Sequence, residues 1–289
     1  MLNTKEIEEF KSKGYVVIRN FINQDEIKEL SSSFQKSKKS KEDEEAYNVI
    51  DDEKIWKLLC NTKLNQIFNF LIGPNVKYLH DVDLLHSDIS YKYTWHRDNP
   101  CRRTGIGPDW IEDPRYNVVS AAVYFSDSKE SNSALNVIPG SHFKNYKNTL
   151  SNLLRVIHNK TRNSNNLHVL RNFLEKIIGK EIKYKAGDLI IFYCSLYHTG
   201  STVIKNRKNA YREAIITRFG GEGIHSNNFL NYELNYRKKK QNIELSKKKD
   251  IFFEKLKEQN IFVSPDIHMN KIEGIHIPKN QSSDRILKN

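Results

Sequence analysis

Three side chains in this sequence have the types and the spacing expected of a metal site. His96 and Asp98 stand two residues apart in the segment Trp95-His96-Arg97-Asp98. Side chains two apart on a β-strand point to one face, so an imidazole and a carboxylate would converge there. The pair alone is a weak signal, because His-x-Asp also occurs by chance.

His198 is the third candidate ligand. It follows the apolar segment Leu189–Tyr193, which a Gly187-Asp188 turn introduces. Two histidines and one carboxylate form the facial triad of non-haem Fe(II) oxygenases, which leaves coordination positions open. The alternative for His198 is a core histidine whose hydrogen bonds are satisfied by its neighbours.

Arg212 begins a predicted strand shortly after His198 and is a candidate for binding a carboxylate. The planar guanidinium can hold a carboxylate through two parallel hydrogen bonds. A surface salt bridge with a nearby glutamate is the alternative, and Arg207 is a second arginine in the same stretch.

Arg102, Arg103 and Trp110 follow the His-x-Asp motif closely and are candidates for substrate binding. Two guanidinium groups beside an aromatic ring can hold an anionic group such as a carboxylate, phosphate or sulfate. The alternative is that the two arginines form ion pairs with Asp109, Glu112 or Asp113 of the same segment.

The elements that must position these residues are mostly β-strands. Short β-branched and aromatic segments bounded by Gly, Pro, Asn and Asp predict an antiparallel sandwich or barrel between residues 76 and 220. A mostly helical part covers residues 1–75, a polar and partly helical insert covers 142–178, and a basic extension covers 231–289. We therefore predict one domain over 1–289, mainly β with flanking helices (α+β).

Composition and charge restrict the function classes. The 289 residues carry 47 Lys and Arg against 35 Asp and Glu, a formal charge of +12. Basic runs at 237–240 and 247–249 are a feature of some nucleic-acid-binding proteins, but the excess of positive charge is spread along the chain, and no nucleic-acid partner is expected. No apolar segment is long enough to span a membrane.

The cysteines and the N-terminus bear on localisation. Cys60, Cys101 and Cys194 are odd in number and widely spaced, so they predict no disulfide framework and a reducing compartment. The first ten residues are polar and acidic, unlike a secretory signal. We therefore expect a cytoplasmic protein.

The ordered set of motifs resembles the phytanoyl-CoA dioxygenase (PhyH-like) family of Fe(II)/2-oxoglutarate-dependent oxygenases over residues 10–220. Besides the segments around His96, His198 and Arg212, the resemblance rests on Gly14–Phe21 and on the turn Asn136–His142. It implies a double-stranded β-helix core of the jelly-roll, cupin-like type. His142 belongs to the turn and is not expected to be a ligand.

The family resemblance also implies roles for particular residues. His96, Asp98 and His198 would bind Fe(II), and Arg212 would bind the distal carboxylate of 2-oxoglutarate, assisted by Thr199 or Ser201. The implied reaction uses dioxygen and 2-oxoglutarate, releases succinate and CO2, and hydroxylates an aliphatic C–H of a small, anionic or polar substrate. A non-catalytic binding module with the same fold is the alternative, and the oligomeric state stays open.

Overall fold

The structure is a computed structural model of the chain. The residues that it describes are 2–42, 52–88, 94–98, 116–129, 134–143, 146–161, 164–201, 211–223, 225–227, 229–230, 249–261 and 263. All structural statements below concern these residues.

The N-terminal part is helical, as predicted, and surrounds one short strand. A capping box between Asn3 and Glu6 starts the first helix, and Gly14, with a φ of 87°, ends it in the left-handed conformation that glycine adopts at little cost. The charge-rich segment 36–45 has the composition of a solvated loop, but the structure continues the second helix through it as far as Glu42. The elements of this part are α1 (Thr4–Lys13), β1 (Tyr15–Ile18), α2 (Gln24–Glu42), α3 (Glu53–Leu59) and α4 (Thr62–Ile72).

Eight strands form two antiparallel sheets that enclose the candidate site. Besides β1, they are β2 (Lys77–Asp88), β3 (Val118–Tyr124), β4 (Leu135–Val137), β5 (Lys180–Ile182), β6 (Leu189–Tyr193), β7 (His198–Gly200) and β8 (Tyr211–Gly220). The first sheet has the order β1-β6-β3-β8-β2, and the second has the order β5-β4-β7. This arrangement confirms the predicted α+β class with a double-stranded β-helix core, although the short strand β7 was not predicted.

Alternation along β8 separates the helix-facing side of the first sheet from its inner side. Phe219 packs against Phe68 of α4 with ring centroids 4.4 Å apart, so the odd-numbered residues of β8 face the helices. Arg212 and Arg218 therefore share the other, inner face. The register places Arg218 opposite Ser120 of β3, which is in turn opposite Phe192 of β6.

The insert between β4 and β5 forms a pair of helices, α5 (Thr149–Lys160) and α6 (His168–Ile178). The last described helix, α7 (Lys249–Glu258), packs Phe252 onto Trp56 and Tyr78. No helix in the described part of the chain combines the length and the apolar character needed to cross a bilayer.

The turn at Pro139-Gly140 is a structural connection, as predicted. Gly140 has a φ of 75° and its N–H donates to the carbonyl of Lys13. The His142 ring lies 3.0 Å from the Lys11 carbonyl and stacks on Tyr193, so it fixes α1 onto the sheet.

Candidate iron site

The two candidate histidines meet where the segment 94–98, which follows the edge strand β2 along the chain, pairs with β7. His96 and His198 form an antiparallel bridge, in which each backbone N–H donates to the other's carbonyl at 3.0 Å. Residues directly opposite in such a pair project side chains to the same side. The two imidazole centroids consequently lie 4.3 Å apart.

Asp98 completes the cluster. Its backbone N–H donates to the carbonyl of Cys194, just after β6, at 2.9 Å. Its Oδ1 lies 3.6 Å from His96 Nε2 and 3.7 Å from His198 Nε2. The structure thus brings together the three residues singled out from the sequence, with potential ligand atoms within 4.8 Å of one another. Their role as metal ligands stays a prediction.

Both imidazoles are held in the tautomer that a metal requires. His96 Nδ1 lies 2.7 Å from the Thr94 carbonyl, and His198 Nδ1 lies 3.1 Å from the Leu196 carbonyl. Because a carbonyl only accepts, these bonds assign the proton to Nδ1 in each ring. The Nε2 lone pairs are then directed at the space beside Asp98 Oδ1.

Arg218 holds the other oxygen of the Asp98 carboxylate. Its guanidinium donates to Asp98 Oδ2 at 2.9 Å, and both side chains are about nine-tenths buried. Burial alone would raise the pKa of Asp98, but the charge of Arg218, joined in acid by those of protonated His198 and His96, holds it well below its ordinary range. Asp98 is therefore a carboxylate at neutral pH.

Sequence reasoning missed Arg218. The signal was present, because Arg218 is six residues after Arg212 on one strand and an even spacing keeps both on the inner face. Arg212 itself is buried there, with 5% of its surface exposed. Six residues of strand span about 20 Å, so the two arginines serve different ends of the inner face.

Thr199 and Ser201 lie on the opposite face of their segment from His198. Thr199 is completely buried and its hydroxyl donates to the Gly200 carbonyl. The Ser201 hydroxyl donates to the Ala134 carbonyl at 3.1 Å and accepts from the amide of Asn136. Both hydroxyls thus have partners in the second sheet, and their role beside Arg212 stays a prediction.

Helix α5 supports the site from behind. The side chain of Asn159 accepts from the Trp95 N–H at 2.9 Å and donates to the Trp95 carbonyl at 3.1 Å. This pair fixes the backbone next to His96. At Gly179 any Cβ would lie 2.4 Å from the Trp95 ring, so only glycine allows this close approach.

Arg97 points away from the candidate ligands. It donates to the Ser141 carbonyl at 2.8 Å, and its guanidinium lies 3.7 Å from the centroid of the Tyr197 ring. Burial lowers the pKa of Arg97 to about 10, which still leaves it charged at neutral pH. Arg97 therefore contacts Ser141 and Tyr197, whereas Arg218 contacts the candidate ligand Asp98.

Several residues proposed from the sequence lie outside the described part of the chain. They are the substrate candidates Arg102, Arg103 and Trp110, the alternative arginine Arg207, and most of the basic extension 231–289. The structure places none of them.

The family assignment follows from a match of the sequence to the profile described as Phytanoyl-CoA dioxygenase (PhyH) over residues 10–212. Because this match covers well over half of the chain, the protein belongs to the PhyH family, whose members are non-haem iron, 2-oxoglutarate-dependent oxygenases. Among curated protein sequences, none matches this chain significantly.

Solved structures of similar fold agree with this class. HygX from Streptomyces hygroscopicus with nickel and 2-oxoglutarate bound is 15% identical, with a TM-score of 0.57, over 76% of this chain and 88% of HygX. EctD from S. alaskensis with 2-oxoglutarate and 5-hydroxyectoine is 17% identical, with a TM-score of 0.54, over 76% of each chain. At these identities the likeness shows the fold.

Proposed function

We propose that this chain hydroxylates an aliphatic C–H of a small, anionic or polar substrate at an iron site formed by His96, Asp98 and His198. The observation that carries the proposal is the convergence of one nitrogen from each of two imidazoles and one carboxylate oxygen within 4.8 Å. The HygX structures with iron and with nickel and 2-oxoglutarate support the same assignment by similarity of fold.

The donor set fits ferrous iron. Two neutral imidazoles and one carboxylate on one side of an ion match the 2-His-1-carboxylate triad, and the opposite positions remain for co-substrate and dioxygen. When bound, iron supplies the redox chemistry by which 2-oxoglutarate and dioxygen give succinate, CO2 and a hydroxylated product.

The protein's own groups bind and orient. The Thr94 and Leu196 carbonyls accept from Nδ1 of His96 and His198, so in the neutral rings Nε2 carries the lone pair that can bind a metal. Arg218 fixes Asp98 Oδ2, which leaves Oδ1 directed toward both rings.

We assign the distal carboxylate of 2-oxoglutarate to Arg212. Its position on the inner face and its burial support this role, since a charge-assisted pair is stronger where water is excluded. Thr199 and Ser201 remain the proposed hydroxyl partners, and Arg102, Arg103 and Trp110 remain the proposed contacts to an anionic substrate.

We also propose a reducing, cytoplasmic location. Cys60 and Cys194 are free thiols, and burial raises the pKa of Cys60 to about 12, so this thiol stays protonated. A reducing compartment also keeps exchangeable iron in the ferrous state.

The test is succinate release from 2-oxoglutarate with Fe(II), screened over small acids, amino acids, acyl thioesters and sugar derivatives. Asp98→Ala removes the carboxylate and is expected to abolish both stoichiometric Fe(II) binding and succinate release, while Asp25→Ala at an exposed site leaves both unchanged. If the alanine variant does not fold, Asp98→Asn replaces it in the test, because asparagine has the same shape as aspartate but no charge. Undiminished succinate release by a folded Asp98 variant would sink the proposal, and iron binding without turnover would favour a non-catalytic module.

A further inference from the structure

The helical pair of the insert carries an unusual concentration of exposed apolar side chains. Twelve large hydrophobic residues of the described chain are exposed, and all except Phe70 and Ile251 lie between residues 143 and 177. Single exposed hydrophobic residues need no explanation, but a contiguous set marks an interaction surface. The ten are Phe143, Leu150, Leu153, Val156, Ile157, Leu167, Val169, Leu170, Phe173 and Ile177.

These residues follow helical periodicity. Leu150, Leu153 and Ile157 recur at i, i+3 and i+7 on α5, and Val169, Phe173 and Ile177 recur at i, i+4 and i+8 on α6. The most exposed are Val169 at 67% and Leu150 at 64%. Each helix therefore presents a continuous apolar stripe to its surroundings.

A second, inner face of the same helices is already buried. Leu174 and Ile178 of α6 pack with Trp95 and Ile138 in a small core. His158 of α5 and Glu175 of α6 form a buried pair at 2.9 Å. Turning either helix to hide the outer stripe would break these contacts, so the outer stripe is a stable feature of the fold.

The exposed charges on the two helices and the residues just before them have a single sign. Within the described residues 146–161 and 164–178, the exposed charged side chains are Lys147, Lys160 and Lys176. The acid in these segments, Glu175, is buried against His158. An apolar face accompanied by exposed lysines alone is the pattern of helices that lie in the surface of an anionic membrane.

We propose that the α5–α6 pair docks this face on an anionic lipid bilayer surface. The apolar stripe would enter the boundary between headgroups and acyl chains, and the three lysines would meet lipid phosphates and carboxylates. A second copy of the chain is the less favoured occupant, because a two-fold contact through this face would bring like charges together. The inference does not depend on the proposed function.

Flotation of the full chain with vesicles tests the proposal. We expect co-flotation with vesicles of phosphatidylglycerol and phosphatidylcholine, weakened by salt, and little with phosphatidylcholine alone. Leu153→Glu and Phe173→Glu, each at an exposed site, should abolish flotation without changing thermal unfolding. Phe70→Glu, at a side chain on α4 that is 48% exposed against 57% for Leu153 and 60% for Phe173, is the control and should float like the unmodified protein.

The lysines provide an independent measurement. Lys160→Ala and Lys176→Ala should each weaken vesicle affinity by about fivefold, whereas Lys28→Ala on α2 should not. Absence of flotation with anionic vesicles overturns the proposal. The proposal is also overturned if the protein is a dimer that does not bind vesicles and if Phe173→Glu dissociates that dimer. The apolar face would then be covered by a second copy of the chain.

Discussion

Replacing Arg218 by methionine tests whether this arginine positions the candidate iron ligand. The substitution keeps a long side chain but removes the donor to Asp98 Oδ2, which lies at 2.9 Å. The side chains are 10% and 11% exposed, so solvent screens the pair only weakly. Removal of a partner that orients a metal ligand typically weakens metal affinity by about 10–100-fold, and we expect a loss in that range.

The same substitution should destabilise the metal-free protein more than the metal-bound one. Without a metal, Arg218→Met removes the arginine partner of a buried carboxylate, which costs up to about 3–5 kcal/mol, and protonation of His96 or His198 offsets part of that cost. A bound cation would restore a positive partner for Asp98. The free energy of unfolding should therefore recover more on adding Fe(II) to the variant than to the unmodified protein.

The assays are anaerobic Fe(II) titration and denaturant unfolding with and without metal. Arg97→Met is the control, because it removes a half-buried guanidinium that lies on Tyr197 rather than on a candidate ligand. It should lower stability while leaving Fe(II) affinity intact. The reasoning is refuted if folded Arg218→Met binds Fe(II) as tightly as the unmodified protein.

Three further predictions concern the co-substrate, the pH dependence and the support of the site. Arg212→Leu should raise the KM for 2-oxoglutarate by about 10–150-fold, because it removes a charge-assisted pair, and it should leave Fe(II) affinity unchanged. An unchanged KM in steady-state assays would show that Arg212 does not bind the 2-oxoglutarate carboxylate. Because the pKa of Asp98 is depressed in the folded state, its contribution to stability is present above the ordinary value of 3.8 and is lost as pH falls below it. Acid unfolding of the metal-free protein should accordingly flatten in Asp98→Asn, and identical pH profiles would contradict the depressed pKa. Asn159→Ala removes both bonds to the Trp95 backbone and should lower the free energy of unfolding by about 1–3 kcal/mol in denaturant titration, whereas no loss would show that Trp95 is held by other contacts.

Much of the fold was predictable because its signals are local. The strand at Leu189–Tyr193 matches its prediction residue for residue, and the Asn3 and Glu6 capping box marks the first helix. The strand β7 was missed because three residues are too few to show a period. Without a predicted strand at β7, it could not be foreseen that side chains alternate there and that Thr199 and Ser201 face away from His198.

The candidate site was predictable in its residues but only partly in its contacts. The His96 and Asp98 spacing and the arginine at 212 are visible in the sequence. Arg218 was overlooked although its even offset from Arg212 was readable. The support from Asn159 was not readable, because it depends on a helix sixty-four positions away along the chain folding against Trp95.

The sequence by itself determined the types of the candidate ligands and the two-residue spacing of His96 and Asp98, since both are properties of the covalent chain. Only the tertiary structure decided that His96 pairs with His198, that Arg218 reaches Asp98, and that one stripe of the α5–α6 pair remains open. The physical reason is that residues distant in sequence meet only through the register of long-range strand and helix packing. An amphipathic pattern likewise shows that a helix has apolar faces, but packing alone decides which of them is buried.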